Sequence, residues 1–197
     1  MTAYASAAEY RAVAGMTDTA KDADILTDLT AVSRYLDGAL GRQFTQDTTP
    51  VERIYIPAST KDYIWTDDMA AAPTLIRIDT DRDGTYSTTL DAADYELWPL
   101  NANRGPEPWP WMKIQLVPWG DRRRFFEGVR VEVTAQYGWP AIPEAVQRAT
   151  IHLTAILRLE TPRATRRIPE LGEVVEASRD AQTIIKRLTE QYKVWRV

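Results

Sequence analysis

The sequence predicts an α+β fold: a helical bundle with an inserted small antiparallel β unit and a C-terminal extended amphipathic helix. Three observations carry this prediction. Apolar residues recur at intervals of three and four near both ends of the chain, short alternating runs separated by turn residues fill the middle, and the final segment follows a heptad pattern. Helix and strand patterns are therefore segregated along the chain, which is typical of α+β proteins.

Two helices are predicted in the N-terminal part. Residues 4–14 form the first, because Ser6 followed by Glu9 three positions later matches a capping box. The second is predicted to be capped by Asp22 or Asp24 and to run to about Leu40. Its apolar positions lie on one face, which is expected to be buried; they are Ile25, Leu29, Val32, Leu36 and Leu40.

Short β-rich runs follow from about residue 51. Residues 75–78 and 86–90 flank an Asp- and Gly-rich turn and are predicted to pair as a hairpin. Strict alternation makes 129–134 the clearest strand. Helix returns after Pro143, which suits a first helical turn, and ends at Pro162. The predicted division is 1–48 (N-terminal helices), 49–137 (β unit), 138–162 (long core helix) and 163–197 (hinge and terminal helix).

The terminal segment carries a heptad seam. Its members are spaced alternately by three and four residues: Leu171, Val174, Ser178, Ala181, Ile185, Leu188, Tyr192 and Trp195. A helix with one narrow apolar seam needs a partner surface. The seam is predicted either to pack on its own domain or to dock into a groove of another subunit.

Composition excludes several kinds of chemistry. The chain has no cysteine, so disulfides, thiolate metal sites and cysteine nucleophiles are absent. His152 is the only histidine, and no serine lies in a nucleophile-elbow context. No run of residues is long and apolar enough for a membrane span, and the N-terminus does not resemble a secretory signal. The sequence therefore predicts a non-enzymatic protein without cofactors or membrane contact, made in the cytosol.

One loop resembles half of a calcium site. Asp79, Asp81 and Asp83 alternate and Gly84 follows, as in the first half of a calcium-binding loop. Leu90 occupies the position where a bidentate glutamate is required, and the flanking runs are strands. A hairpin turn is the preferred interpretation, with calcium as the alternative.

Aromatic and basic clusters also have two interpretations each. Four tryptophans, at 98, 109, 111 and 119, lie in or near a proline-rich loop and are expected to brace it, with sugar binding as the alternative. The run Arg122–Arg124 precedes Phe125 and Phe126. A solvated loop is the preferred interpretation of this run, with binding of single strands or of an acidic neighbour as alternatives.

The stretch 129–150 carries a family resemblance. Its alternating strand ends in a corner formed by Tyr137, Gly138, Trp139 and Pro140, and Pro143 then opens a helix. This stretch resembles the head-to-tail connector family of long-tailed bacteriophages, the gp6-like adaptors. The hairpin region 79–102 and the N-terminal helices up to residue 44 agree, so the resemblance spans most of residues 4–160.

The resemblance implies a structural virion protein of the neck, assembled in the host cytoplasm. Members form rings, typically of twelve subunits, which bind the portal, contact a stopper or tail-completion protein and leave a channel through which DNA passes without specific binding. A C-terminal element of connectors commonly reaches the portal, so the implied portal-binding residues are Leu171, Val174, Ala181, Ile185, Leu188, Tyr192 and Trp195. Alternatives are another neck protein, such as a head-completion or stopper protein, or a calcium-dependent carbohydrate-binding or hydrolytic module.

Overall fold

The computed structural model describes residues 2–102, 104–105, 107–120, 122–160 and 170–192, with side chains at all of these except 159–160 and 170–179. Within them the chain forms helices and antiparallel sheets, which confirms the predicted α+β class. The predicted hinge at 163–169 lies outside the described residues. No helix in the described part is long and apolar enough to span a bilayer.

The elements follow the predicted order. Helices α1 (Ala7–Ala14) and α2 (Asp22–Leu40) come first, and helices α3 (Glu144–Glu160) and α4 (Glu170–Tyr192) come last. Between them lie β1 (Val51–Tyr55), β2 (Tyr63–Met69), β3 (Leu75–Asp79), β4 (Thr88–Thr89), β5 (Tyr95–Trp98), β6 (Trp111–Leu116) and β7 (Arg130–Ala135).

The described residues divide into two compact units. Unit 1 consists of 2–42 and 142–192 and holds the four helices, and unit 2 consists of 43–141 and holds the strands. The predicted four-part division of the chain stays a prediction.

Local signals place the N-terminal helices of unit 1. The Ser6 hydroxyl accepts the Glu9 N–H at 3.2 Å, and the Glu9 carboxylate accepts the Ser6 N–H at 2.7 Å, so the predicted capping box is confirmed. The predicted cap of α2 is wrong, because Lys21 occupies the N-cap and makes no side-chain cap hydrogen bond. Asp22 instead forms an ion pair with Arg11 at 2.8 Å, which ties α2 to α1.

Replacing Ser6 by alanine is expected to destabilise unit 1 by about 1 kcal/mol, because the Glu9 N–H loses its acceptor. Thermal unfolding followed by helical circular dichroism measures the effect. Thr19→Ala changes an exposed loop residue and should stay within about 0.5 kcal/mol of the parent chain. Equal losses in the two variants would contradict the role of the box.

Unit 1 is built on the apolar face of α2. Ile25, Leu29 and Leu36 are fully buried, and α2 packs against α1, α3 and α4. Arg158 of α3 pairs with Asp28 of α2 at 2.5 Å and fixes the two helices at their polar rim. The three- and four-residue spacing seen in the sequence is therefore the buried stripe of α2.

Unit 2 contains two antiparallel sheets. One has the strand order β1-β7-β3-β4 and the other the order β2-β6-β5. The strand with the strictest alternation, β7, lies inside the first sheet, where Val133 stands opposite Arg53 of β1 and Ile76 of β3. The predicted hairpin is confirmed in shorter form, since β3 pairs with β4 only at Arg77 and Ile78.

The core of unit 2 lies between aliphatic faces of these strands. It includes Ile64, Ile76, Ile78, Ile114, Leu116, Val131 and Val133. Each of these side chains is buried, so the two sheets are joined by a continuous apolar layer. This packing gives the corner after β7 a rigid base.

Candidate functional site

The corner after β7 depends on a glycine that no other residue can replace without strain. Gly138 has φ +103°, in the region that side chains rarely adopt. A Cβ built there would lie 2.8 Å from the carbonyl carbon of Thr45 and closer still to its oxygen. The Gly138 N–H donates to the Asp68 carbonyl at 2.8 Å. The backbones of three distant segments therefore meet at this residue.

Trp139 fills the space beneath the corner. Its side chain is 1% exposed, and its ring lies 5.1 Å from Phe44 and 4.9 Å from Trp109, measured between ring centroids. The indole N–H donates to an Asp68 carboxylate oxygen at 3.0 Å. The contact with Trp109 ties the proline-rich loop to the corner, in agreement with the bracing role expected for one of the loop tryptophans.

Tyr137 anchors the other side of the corner. Its hydroxyl donates to the Val133 carbonyl at 2.8 Å, and the guanidinium carbon of Arg53 lies 3.9 Å from its ring centroid. Arg53 also pairs with Asp67 at 2.9 Å, and the Tyr55 hydroxyl donates to the same carboxylate at 3.2 Å. This cluster cannot be predicted from the sequence, because its members come from separate segments and share no sequence motif.

Burial raises the pKa of Tyr137 well above its usual value, and the neighbouring Tyr55 hydroxyl raises that pKa further. The same effect of burial raises the pKa of Tyr55 and Tyr95. In folded unit 2 these phenols therefore keep their protons to higher pH than in the unfolded chain. The corner is therefore a packed and hydrogen-bonded scaffold, and its tyrosines are not tuned to titrate near neutral pH.

Unit 2 is expected to lose stability as the pH rises above about 10. The unfolded chain releases its tyrosine protons near the ordinary pKa of 10.0, whereas the folded unit holds them, so deprotonation favours unfolding. Urea unfolding at a series of pH values, followed by tryptophan fluorescence, measures the slope. Tyr137→Phe should flatten that slope, and a parent chain with constant stability above this pH would contradict the assignment.

The predicted portal-binding residues of the terminal helix differ in how deeply they are buried. Leu188 is 5% exposed and Tyr192 is fully buried, while Ala181 and Ile185 are half-buried. The side chains of Leu171 and Val174, and residue Trp195, lie outside the described part of the chain. Helix α4 packs against α2 and α3, so its described seam follows the alternative in which the helix packs on its own domain.

An apolar groove remains open beside this seam. It has a volume of about 490 Å³ and lies between α2, α3 and α4. Tyr35 is 60% exposed and Leu157 is 37% exposed at its rim, and Ile185 lines its wall. The seam is thus covered at Leu188 and Tyr192 and borders accessible apolar surface one turn earlier.

The aspartate-rich loop uses its first carboxylate to hold the backbone. Asp79 is 1% exposed, and its two carboxylate oxygens accept the N–H groups of Asp83 and Gly84, each at 3.1 Å. Asp81 and Asp83 are exposed. Within the described residues no group of three metal-ligating side chains comes together. The geometry is that of a side-chain-capped turn.

His152 lies on an exposed face of α3. In the part of the chain that the structure describes, no hydrogen bond or ion pair of its side chain is observed.

No protein-family model and no curated protein sequence matches the chain. Solved structures do match it. A chain in a structure described as the "Neck of empty GTA particle computed with C6 symmetry" is 20% identical, with a TM-score of 0.55 over 97% of this chain and 90% of that chain. A chain in the "Neck of native GTA particle computed with C12 symmetry" is 19% identical, with a TM-score of 0.48 over 96% and 88%. GTA particles are phage-like gene transfer agents. This chain therefore shares its fold, over nearly its whole length, with a chain of a phage-like particle neck.

Proposed function

We propose that this chain is a structural subunit of the neck of a phage-like virion and has no catalytic activity. The observation that carries the proposal is the fold shared with the neck of a GTA particle across 97% of the chain. The corner supports it, because its buried aromatics and fixed backbone suit a rigid building block. The sole histidine of the chain, which is exposed on α3, agrees with it.

Within the neck, the role that we propose is the head-to-tail adaptor. Adaptor subunits would form a ring between portal and tail, contact a stopper or tail-completion protein, and leave a channel for DNA. A closed ring of identical subunits needs two different faces on each subunit that fit each other. The resemblance of the corner and hairpin to the connector family supports the adaptor over other neck components, and it implies twelve subunits.

The proposed portal contact is the seam of α4, namely Leu171, Val174, Ala181, Ile185, Leu188, Tyr192 and Trp195. Because Leu188 and Tyr192 are buried in unit 1, they would reach a portal only if α4 separated from α2 and α3. Ala181 and Ile185 border the open groove and need no such separation. Trp195 is the largest side chain of the seam and thus the residue whose loss should weaken portal binding most.

Mass photometry of the chain alone, the portal ring alone and their mixture tests this role. The adaptor proposal expects a ring of subunits added to the portal. Trp195→Ala should weaken that binding by a factor of about 30 or more if the indole is an interface anchor. Trp119→Ala removes a 76% exposed indole from unit 2 and is the matched control.

The outcomes separate the candidates. The chain would be a stopper or head-completion protein if it formed rings and bound a preassembled portal–adaptor complex but did not bind the portal alone. A chain that neither self-associates nor binds any neck component would overturn the neck proposal as a whole.

A further inference from the structure

We propose that a strip of cations on unit 2, formed by Lys61, Lys113, Arg123 and Arg124, contacts the phosphate backbone of duplex DNA. The inference deepens the proposed neck role by naming residues that meet the DNA, and it rests on that role only for the source of the DNA. The binding itself is a property of the chain that does not require a ring.

A backbone bridge brings part of the strip together. The Lys61 N–H donates to the Phe125 carbonyl at 3.1 Å, and the Phe125 N–H donates to the Lys61 carbonyl at 2.7 Å. Phe125 is 1% exposed and anchors its segment in the core. Arg123 and Arg124, which precede it, are exposed and line a pocket of about 480 Å³ together with Lys61.

Aromatic rings hold the two lysines in line. The Lys61 ammonium lies 4.9 Å from the centroid of the Tyr63 ring, and the Lys113 ammonium lies 5.2 Å from the same centroid. Lys113 also lies 4.5 Å from the ring of Trp98. Rings fix the positions of these cations without neutralising them. The strip therefore runs from Trp98 across Tyr63 to the pocket.

The arginines of the strip belong to a group of described arginines without a carboxylate partner, which also includes Arg82, Arg104, Arg122 and Arg130. Ion pairs with carboxylates are formed by Arg11, Arg34, Arg53, Arg77, Arg148 and Arg158. Among the described residues neither Arg123 nor Arg124 forms one, although the chain has 28 acidic residues and a net charge of −4. Two adjacent exposed arginines without a carboxylate partner in an acidic protein are available for an anion from outside.

Carboxylates also lie on this surface among the described residues. Asp62 lines the same pocket, and Glu96 lies close to Lys113 in the sheet register. Exposed Glu127 lies nearby as well, since its N–H donates to the Thr60 hydroxyl at 3.1 Å. Among the described residues the four cations of the strip outnumber these three carboxylates. A row of cations suits a polyanion better than the single carboxylate of a protein side chain, because duplex DNA carries a charge about every 1.7 Å along its axis.

Fluorescence anisotropy with a short labelled duplex at low salt tests the strip. The double variant R123E/R124E should weaken binding by a factor of about 10 or more and lower the salt slope by roughly 0.9 for each phosphate that is no longer neutralised. The matched control is K186E/R187E, which reverses two adjacent exposed cations on α4 and changes the net charge equally. Tryptophan fluorescence during urea unfolding checks the folding of unit 2 in R123E/R124E, and helical circular dichroism checks the folding of unit 1 in K186E/R187E.

Each of the following outcomes would overturn the proposal that the strip binds duplex DNA. Equal weakening by the two double variants would mean that only net charge matters. If R123E/R124E still bound the duplex but no longer self-associated, the strip would be a binding surface for an acidic face of a second subunit. If single-stranded DNA bound more tightly than the duplex, and if Trp98→Ala weakened that binding, the ligand of the strip would be a single strand. Ring mass measured on the same samples separates failure of the strip from failure of the neck proposal.

Discussion

Replacing Gly138 by alanine is expected to destabilise unit 2 by roughly 3–5 kcal/mol, because strain and overpacking act together. The φ of +103° is costly for any residue with a Cβ, and the new methyl would overlap the Thr45 carbonyl. The carbonyl belongs to the backbone and cannot rotate away. Moving it would also strain the hydrogen bond from the Asp47 N–H to the Tyr137 carbonyl, which is 2.8 Å long.

Urea unfolding followed by tryptophan fluorescence measures this loss in the right unit. Six of the seven tryptophans, at 65, 98, 109, 111, 119 and 139, lie within 43–141, so the signal reports mainly on unit 2. Gly84→Ala is the control. Gly84 also has a positive φ, of +88°, but no atom lies within 4 Å of its Cβ position, so only the backbone strain of about 1 kcal/mol remains. Similar losses at the two glycines would show that the close approach to Thr45 does not matter.

Truncating Trp139 to alanine is expected to cost unit 2 about 3–5 kcal/mol, the usual range for a buried tryptophan in a packed core. The substitution opens a cavity between Phe44 and Trp109 and removes the hydrogen bond to Asp68. Because Trp109 belongs to the proline-rich loop, we also expect that loop to become more accessible to proteolysis. Chemical unfolding and limited proteolysis measure the two effects.

Two variants separate the causes. Trp119→Ala removes a 76% exposed indole and should change stability by no more than about 0.5 kcal/mol. Trp139→Phe keeps a ring between its neighbours but loses the N–H donor, so it should fall between the parent chain and the alanine variant. An alanine variant as stable as the parent chain would mean that the corner repacks, and the rigid-scaffold interpretation would then fail.

These two residues show how far sequence reasoning reaches. The order Tyr137, Gly138, Trp139 after an alternating strand predicts a corner, and it singles out the glycine as conformationally special. The obstacle that makes Gly138 irreplaceable is the Thr45 carbonyl, which is distant in sequence and forms part of no motif. Positive φ is a local property that a sequence can suggest, whereas close approach of two backbones is set by packing of the whole unit.

The terminal helix also shows what a sequence pattern leaves undecided. Heptad spacing predicts an apolar seam on α4. The same spacing is found in a seam that packs on its own unit and in a seam that docks on another protein, so the spacing does not distinguish them. Burial of Leu188 and Tyr192 against the other helices decides for the first at these two positions. The open groove beside Ile185 leaves the neighbouring turn accessible.

The sequence by itself determined what depends on neighbours along the chain. These features are the class of each segment, the capping box at Ser6, the hairpin after β3 and the lack of cysteine chemistry, because periodicity, caps and turns are set within a few residues. Only the tertiary structure decided the order of strands in two sheets, the cluster of Arg53, Asp67 and Tyr137, and the strip of cations on unit 2. Those features join residues that are far apart in the chain. Their interactions contribute to stability only after folding of the backbone has brought the partners together.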